Sequence, residues 1–118
     1  MTQFDKRNLS MMMDFYEMTM SYGYFRQPRS DVRVAFDLFF RAVPDRGGYA
    51  IFAGLEHVIE FVENLSFSDE EIEYFRRQNL FSEEFLQFLR DFRFRGDVYS
   101  IPEGTVIYPD EPLMTIVA

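Results

Sequence analysis

Residues 32–41 read VRVAFDLFFR, and this stretch decides the fold class of the amino-terminal half. Its residues alternate between two faces. One face holds only apolar side chains, namely Val32, Val34, Phe36, Leu38 and Phe40, whereas the other carries Arg33, Asp37 and Arg41. A period of two is typical of a β-strand, so residues 32–41 are predicted to form a strand with one buried and one mostly polar face.

Helical patterns lie on both sides of this strand. Apolar residues at Met11, Phe15, Met18 and Tyr22 predict an amphipathic helix that ends at Gly23 and Pro28. After a loop at 44–48, a second apolar stripe comprises Ile51, Leu55, Val58, Ile59 and Val62. Ser68 followed by Glu71 predicts a capping box at the start of a third helix, and Ser82 predicts the start of a fourth.

After Gly96 the pattern changes to three short strands, at 98–101, 105–108 and 113–117, separated by Pro-containing turns. We therefore predict a single α+β domain over 1–118. A loose polar arm spans 1–10, helices and the strand 32–41 occupy 11–95, and a small antiparallel sheet spans 96–118, which the early strand joins. Because the chain ends inside a predicted strand, we expect a fragment of a longer protein.

The composition narrows the classes of partner. The 118 residues include fifteen phenylalanines and seven tyrosines, more aromatic surface than a small domain hides, so some should meet another domain or subunit. A net charge of −8 argues against nucleic-acid binding and against an anionic membrane surface. The chain has no cysteine, no apolar run near about 18 residues and no signal-peptide pattern, so a cytoplasmic location is expected.

Few residues offer catalytic chemistry. His57 is the single histidine, and a lone histidine on a helix is more often packed or solvated than catalytic. The sequence contains no H-E-x-x-H, no G-x-S-x-G and no P-loop. We therefore predict no metal ligand in this chain, and no residue of these motifs that could act as a catalytic group.

Binding residues are better represented. Asp14 and Tyr16 lie off the apolar stripe of their helix, and a tyrosine there can stack on a planar ligand or pack at a domain boundary. Arg41 ends the polar face of the strand, where it can hold a phosphate or form a salt bridge with Asp37. The pair Gly47-Gly48 can bring backbone amides near an anion or form a flexible turn.

Four segments in this order resemble the nicotinate phosphoribosyltransferases. They are DFYEMTM at 14–20, FDLFFR at 36–41, GGYAIFAGLE at 47–56 and GDVYSIPEGTVIYPDEPL at 96–113. The resemblance covers residues 8–118, which correspond to the first quarter or so of a typical member. It implies the helical and antiparallel-sheet N-terminal domain of a type II phosphoribosyltransferase, whose irregular α/β barrel would lie beyond Ala118.

The resemblance also implies a function in NAD biosynthesis. Such enzymes form nicotinate mononucleotide from nicotinate and phosphoribosyl pyrophosphate, coupled to ATP hydrolysis and assisted by Mg²⁺, at sites on a homodimer interface. By motif, Tyr16 would stack on nicotinate, Asp14 would line that site, and Arg41 would reach a phosphate. Gly48 and Tyr49 would shape the adjoining loop. The family's catalytic histidine lies beyond Ala118, so this chain alone is expected to be inactive.

Two alternatives stay open. A non-catalytic binding or regulatory module that pairs with a separate catalytic chain would use the same interface without needing Tyr16 or Arg41. An enzyme acting on nicotinamide or quinolinate would share part of the opening motif, although FDLFFR and GGYAIFAGLE are more similar to the nicotinate enzymes.

Overall fold

The structure is a computed structural model that describes residues 8–28 and 31–118. These residues form four α-helices, one 3₁₀ turn and five strands. In chain order they are α1 Phe15–Phe25, β1 Ala35–Leu38, the 3₁₀ turn Pro44–Arg46, β2 Ala50–Ile51, α2 Leu55–Asn64, α3 Asp69–Arg77, α4 Glu83–Asp91, β3 Asp97–Ser100, β4 Val106–Ile107 and β5 Met114–Val117. Helices combined with small antiparallel sheets confirm the predicted α+β class.

The described residues group into two compact units. The first unit combines the described residues up to Val32 with Glu60–Phe94, and the second combines Arg33–Ile59 with Arg95–Ala118. No helix in the described ranges has the length and apolar character that a membrane span requires.

The first unit has a core made by α1, α3 and α4. Its buried side chains are Met18, Ile72, Phe75, Phe85, Leu86 and Leu89. The predicted stripe of α1 is confirmed at Met18, which is buried, and at Tyr22, which packs against this cluster. The helix continues past Gly23 to Phe25, because the Phe25 ring packs against Phe85 with 5.3 Å between ring centroids.

Serine side chains cap two of these helices as predicted. Ser68 Oγ accepts a hydrogen bond from the Glu71 N–H, and the Glu71 carboxylate accepts one from the Ser68 N–H at 2.7 Å. This capping box satisfies amides that the first turn of α3 leaves without a partner. Ser82 Oγ accepts from the Phe85 N–H in the same way at the start of α4.

The end of the predicted loose arm is fixed in place, which corrects that prediction at residues 8–10; residues 1–7 lie outside the described part. Asn8 Nδ2 donates to the Ser66 carbonyl at 2.9 Å, and Ser10 Oγ donates to the same carbonyl at 2.7 Å. Ser10 is only 2% exposed, so its polar atoms need these partners. At these two positions the polar side chains serve this network.

The second unit contains two antiparallel sheets, β1-β5-β3 and β2-β4. The early strand joins the carboxy-terminal sheet as predicted, with Leu38 opposite Met114 and Phe36 opposite Ile116. The strand is shorter than residues 32–41, however, and its predicted buried face is open: Phe36 is 69% exposed. The core of this unit takes Met114 from the central strand β5 and packs Val98 of the edge strand β3, whereas the other edge strand, β1, is exposed along its length.

The core of the second unit consists of Phe52, Ile107, Leu113 and Met114, against which Leu55 and Val58 of α2 pack. Ile51 was predicted to belong to the stripe of this helix, but it lies in β2. Gly54 separates the two elements, with a φ of 107° that side-chain-bearing residues rarely adopt. The helix therefore begins only at Leu55.

Candidate functional site

The five predicted binding residues fall into two groups, one in each unit. Asp14 and Tyr16 stand at the start of α1 in the first unit. Arg41, Gly48 and Tyr49 lie between β1 and β2 in the second unit. All five are exposed.

Asp14 occupies the residue before α1 but does not cap it. Its backbone is extended and its carbonyl accepts from the Glu17 N–H at 3.0 Å, yet its side chain makes no capping hydrogen bond. An aspartate at this position ordinarily accepts from the second or third helical amide. The Asp14 carboxylate therefore remains open to solvent, next to the positive end of the helix.

Tyr16 projects from the outer side of the same helix and is 59% exposed. Met18 and Tyr22 turn inward and fix α1 against the core, with the Tyr22 ring 5.0 Å from that of Phe85. Within the described residues the Tyr16 ring pairs with no other aromatic ring. Tyr16 was predicted either to stack on a planar ligand or to pack at a domain boundary. Within this unit its ring is exposed, so it is free to contact a ligand or a partner.

Arg41 follows the end of β1, where the backbone is firmly held. The Phe40 carbonyl accepts from the Asp110 N–H, and the Leu38 carbonyl accepts from the Leu113 N–H, both at 2.8 Å. The alternative salt bridge with Asp37 does not form: Thr115, opposite Asp37 in the strand register, donates its hydroxyl to the Asp37 carboxylate. Across residues 8–28 and 31–118, Arg41 pairs with no carboxylate, so its guanidinium is available to an anion.

The loop 41–49 contains two residues other than glycine in a strained backbone conformation. Asp45 and Arg46 both have left-handed backbone angles, with φ of 58° and 55°, whereas Gly47 and Gly48 do not. A Cβ on Gly48 would meet open space, so glycine is not required there for lack of room. Consecutive left-handed residues other than glycine are costly, and such strain clusters at functional loops.

Tyr49 ends this loop and is 58% exposed. The next residue, Ala50, begins β2, whose pairing with β4 places Ala50 opposite Ile107. The Tyr49 ring is therefore exposed, while its backbone leads directly into a paired strand.

One polar residue of the second unit was not anticipated. Glu103, in the turn between β3 and β4, accepts hydrogen bonds from the Gly54 and Leu55 amides at 2.9 and 3.0 Å. These two hydrogen bonds, together with the charge of His57, lower the pKa of the Glu103 carboxyl. The sequence marks 102–104 only as a turn, and its pattern contains no signal that pairs Glu103 with α2.

His57 lies exposed on α2, in agreement with the prediction that a lone histidine on a helix is packed or solvated. No three His, Cys, Asp or Glu side chains in the described ranges come close enough to hold a metal ion.

The fold of this chain is that of a phosphoribosyltransferase N-terminal domain. Its structure superposes on the crystal structure of human nicotinic acid phosphoribosyltransferase with a TM-score of 0.78 and 29% sequence identity, covering 89% of this chain and 22% of that chain. The family model for the nicotinate phosphoribosyltransferase (NAPRTase) N-terminal domain matches residues 11–118. The chain belongs to this family, which confirms the resemblance.

Curated relatives agree with this assignment. The chain is 43% identical over 105 residues to nicotinate phosphoribosyltransferase pncB2 of Mycobacterium tuberculosis, covering 89% of this chain and 22% of the relative. It is 37% identical over 115 residues to nicotinate phosphoribosyltransferase of Bacillus subtilis, covering 98% of this chain and 24% of the relative. The chain thus spans about a fifth to a quarter of the length of the relatives that it matches.

Proposed function

We propose that this chain supplies substrate-binding residues to a nicotinate phosphoribosyltransferase of NAD biosynthesis. In that reaction the pyridine nitrogen of nicotinate forms a bond to C1 of the ribose 5-phosphate group, while the bond from C1 to pyrophosphate breaks. Pyrophosphate leaves with the bonding electrons, and nicotinate mononucleotide is the other product. The observation that carries the proposal is the membership of residues 11–118 in the family.

The open side chains fit distinct parts of these substrates. The free ring face of Tyr16 suits offset stacking on a pyridine ring, worth about 0.5–1.5 kcal/mol. The Arg41 guanidinium suits bidentate binding of a phosphate group of the sugar. Asp14, with its uncapped carboxylate, would line the base site, while Gly48 and Tyr49 would shape the loop beside Arg41.

Mg²⁺ and ATP belong to the proposal on family grounds alone. Among the described residues, no three His, Cys, Asp or Glu side chains lie close enough together to hold a metal ion. The remaining partners proposed are the rest of the enzyme chain and a second subunit in a homodimer, with the site at their interface. A cytoplasmic location is proposed on the same grounds.

A chimaera tests the roles of Tyr16 and Arg41. This chain would replace the matching segment of the Bacillus subtilis enzyme, which aligns with 98% of it, and formation of nicotinate mononucleotide would be followed. We expect Tyr16→Leu to raise KM for nicotinate roughly 2- to 12-fold, the loss of one stacking contact, while Tyr16→Phe keeps the ring and the KM. Tyr74→Leu, at a similarly exposed tyrosine of α3, is the matched control.

For the phosphate, Arg41→Gln should raise KM for phosphoribosyl pyrophosphate by at least tenfold. Arg95→Gln, at an exposed arginine of the same unit shortly before β3, should not. Equal effects of the two arginine variants would refute the role of Arg41. The isolated chain should release no pyrophosphate when mixed with nicotinate and phosphoribosyl pyrophosphate.

The alternative of a non-catalytic module is favoured by one observation, the exposed apolar side chains of α1: Tyr16, Met20 and Tyr24. Such a module would bind its partner through this face without depending on Tyr16 alone, so neither Tyr16→Leu nor Arg41→Gln would abolish its association. An inactive chimaera that still folds and associates would favour the module over the enzyme.

A further inference from the structure

The start of α2 has no capping side chain of its own. Gly54 precedes the helix and its carbonyl accepts from the Val58 N–H at 3.2 Å, so it occupies the capping position without a side chain to fill it. Glu103, 49 residues further along the chain, fills the gap. Its two carboxylate oxygens accept separately from the Gly54 and Leu55 amides, at 2.9 and 3.0 Å.

This contact is one of a series of hydrogen bonds between residues 103–110 and residues 40–55, which we call the clamp. Next to Glu103, the Gly104 N–H donates to the Phe52 carbonyl at 2.8 Å, and the Thr105 carbonyl accepts from the Phe52 N–H at 2.9 Å. The ladder continues through β2 and β4 up to Ala50. The residue before Ala50 is Tyr49, so the carboxy-terminal end of the loop 41–49 is fixed by this clamp.

The other end of the loop is fixed by the same segment. Asp110 donates its N–H to the Phe40 carbonyl, one residue before Arg41. Residues 103–110 therefore hold both ends of the loop that carries Arg41, Gly48 and Tyr49. Glu103 reaches the start of α2 through its side chain, whereas the contacts of Gly104, Thr105 and Asp110 with Phe52 and Phe40 are backbone hydrogen bonds.

We propose that Glu103 is a positioning residue that fixes the start of α2 to the 102–105 turn and thereby sets the conformation of Tyr49 in the loop 41–49. That this conformation matters for substrate binding rests on the proposed function. The contact itself is independent of any ligand.

Protonation should open the contact. The titratable group whose charge acts on this carboxylate, within the described residues, is His57 on α2. The folded state lowers the pKa of Glu103 below the ordinary glutamate value of 4.5. The stability that the ionised carboxylate contributes to folding is therefore fully present above pH 4.5 and is lost as the pH falls through the pKa of the folded state. At neutral pH the clamp is closed.

The test is NMR on the ¹⁵N-labelled chain without ligand. In the wild type, the Gly54 and Leu55 amide proton shifts should titrate together with a midpoint below pH 4.5. Glu103→Ala should abolish this titration and speed hydrogen exchange of both amides roughly tenfold. Glu103→Gln, which keeps one acceptor oxygen, should restore part of the protection. In Glu103→Ala, the Tyr49 backbone resonance should shift and its order parameter should fall.

Glu111→Ala is the matched control, since Glu111 is an exposed glutamate of the following turn whose carboxylate accepts no hydrogen bond within residues 8–28 and 31–118. If Glu103→Ala and Glu111→Ala behave alike, or if the amides respond while Tyr49 does not, the proposal is overturned. If a variant fails to fold, the wild-type titration still tests the proposal, because the Tyr49 amide should shift with the same midpoint as the Gly54 and Leu55 amides, and a Tyr49 amide that does not respond overturns it. Because no substrate is present, an inactive chimaera would count against the proposed function and leave this result standing.

Discussion

Removing the Phe85 ring should destabilise the first unit more than any other single truncation on α4. The Phe85 side chain is fully buried. Its ring centroid lies 5.0 Å from that of Tyr22, 5.3 Å from Phe25, 5.6 Å from Phe81 and 6.1 Å from Phe88. Two of these partners, Tyr22 and Phe25, belong to α1, so Phe85 also fixes the helix that carries Asp14 and Tyr16.

The size of the effect follows from burial and packing. Truncating a buried phenylalanine to alanine costs about 3–5 kcal/mol, and the loss of four aromatic neighbours places Phe85→Ala near the top of this range. A chain of 118 residues has a total stability of about 6–18 kcal/mol, so the loss is a large share. Phe85→Leu keeps most of the apolar volume and should cost about 1–2 kcal/mol. Phe88→Ala, at a ring that is 46% exposed, should cost roughly half as much as Phe85→Ala.

Urea unfolding followed by circular dichroism at 222 nm measures these differences. With a slope of about 2 kcal/mol per molar urea, Phe85→Ala should lower the midpoint by about 2 M, and Phe85→Leu by less than 1 M. If Phe85→Ala costs under about 2 kcal/mol, or no more than Phe88→Ala, then Phe85 is not the central contact of this core. The reasoning from burial and ring geometry would then be wrong for this unit.

Three further predictions concern single residues. Ser10→Ala should cost about 1–3 kcal/mol in urea unfolding, because it removes the buried hydroxyl that donates to the Ser66 carbonyl; a loss below 0.5 kcal/mol would contradict this role. Ser68→Ala should cost about 1 kcal/mol by removing the cap of α3, and hydrogen exchange should quicken at the Glu71 amide but not in α4. Arg46→Gly should leave stability unchanged or raise it by about 0.5 kcal/mol, whereas Arg46→Val should lower it by about 1–2 kcal/mol, and the opposite order would exclude a left-handed Arg46.

Features encoded within a few residues were predictable from the sequence. The Ser68 capping box needs only a serine and a glutamate three residues apart, and the stripe of α1 through Met18 and Tyr22 needs only the helical period. The strand predicted at 32–41 lies at the correct place in the sequence, but the observed strand, Ala35–Leu38, is shorter. Alternation records which side chains share a face, but it does not record whether a strand lies at the edge of a sheet, as β1 does.

Features that depend on distant partners were not predictable. The Glu103 carboxylate caps a helix 49 residues away, and no local pattern marks that pairing. The positive φ angles of Asp45 and Arg46 were not predictable either, because neither residue type marks a left-handed conformation in the sequence. Of the candidate site, residue types and exposure followed from the sequence, while the backbone that holds Arg41 and Tyr49 came only from the structure.

The outer face of α1 links the binding role to association. Tyr16, Met20 and Tyr24 recur every fourth residue and are all exposed, while Met18 and Tyr22 on the opposite side fill the core. A helix that is apolar on both sides is typical of a position between two packing partners, and contiguous exposed apolar surface is uncommon on a free-standing domain. The residue proposed to stack on nicotinate therefore stands on the surface that the proposed enzyme would use to meet its remaining chain or second subunit. Substrate binding and association would then share one helix, so that Tyr16 completes a base site only when its partner is in place.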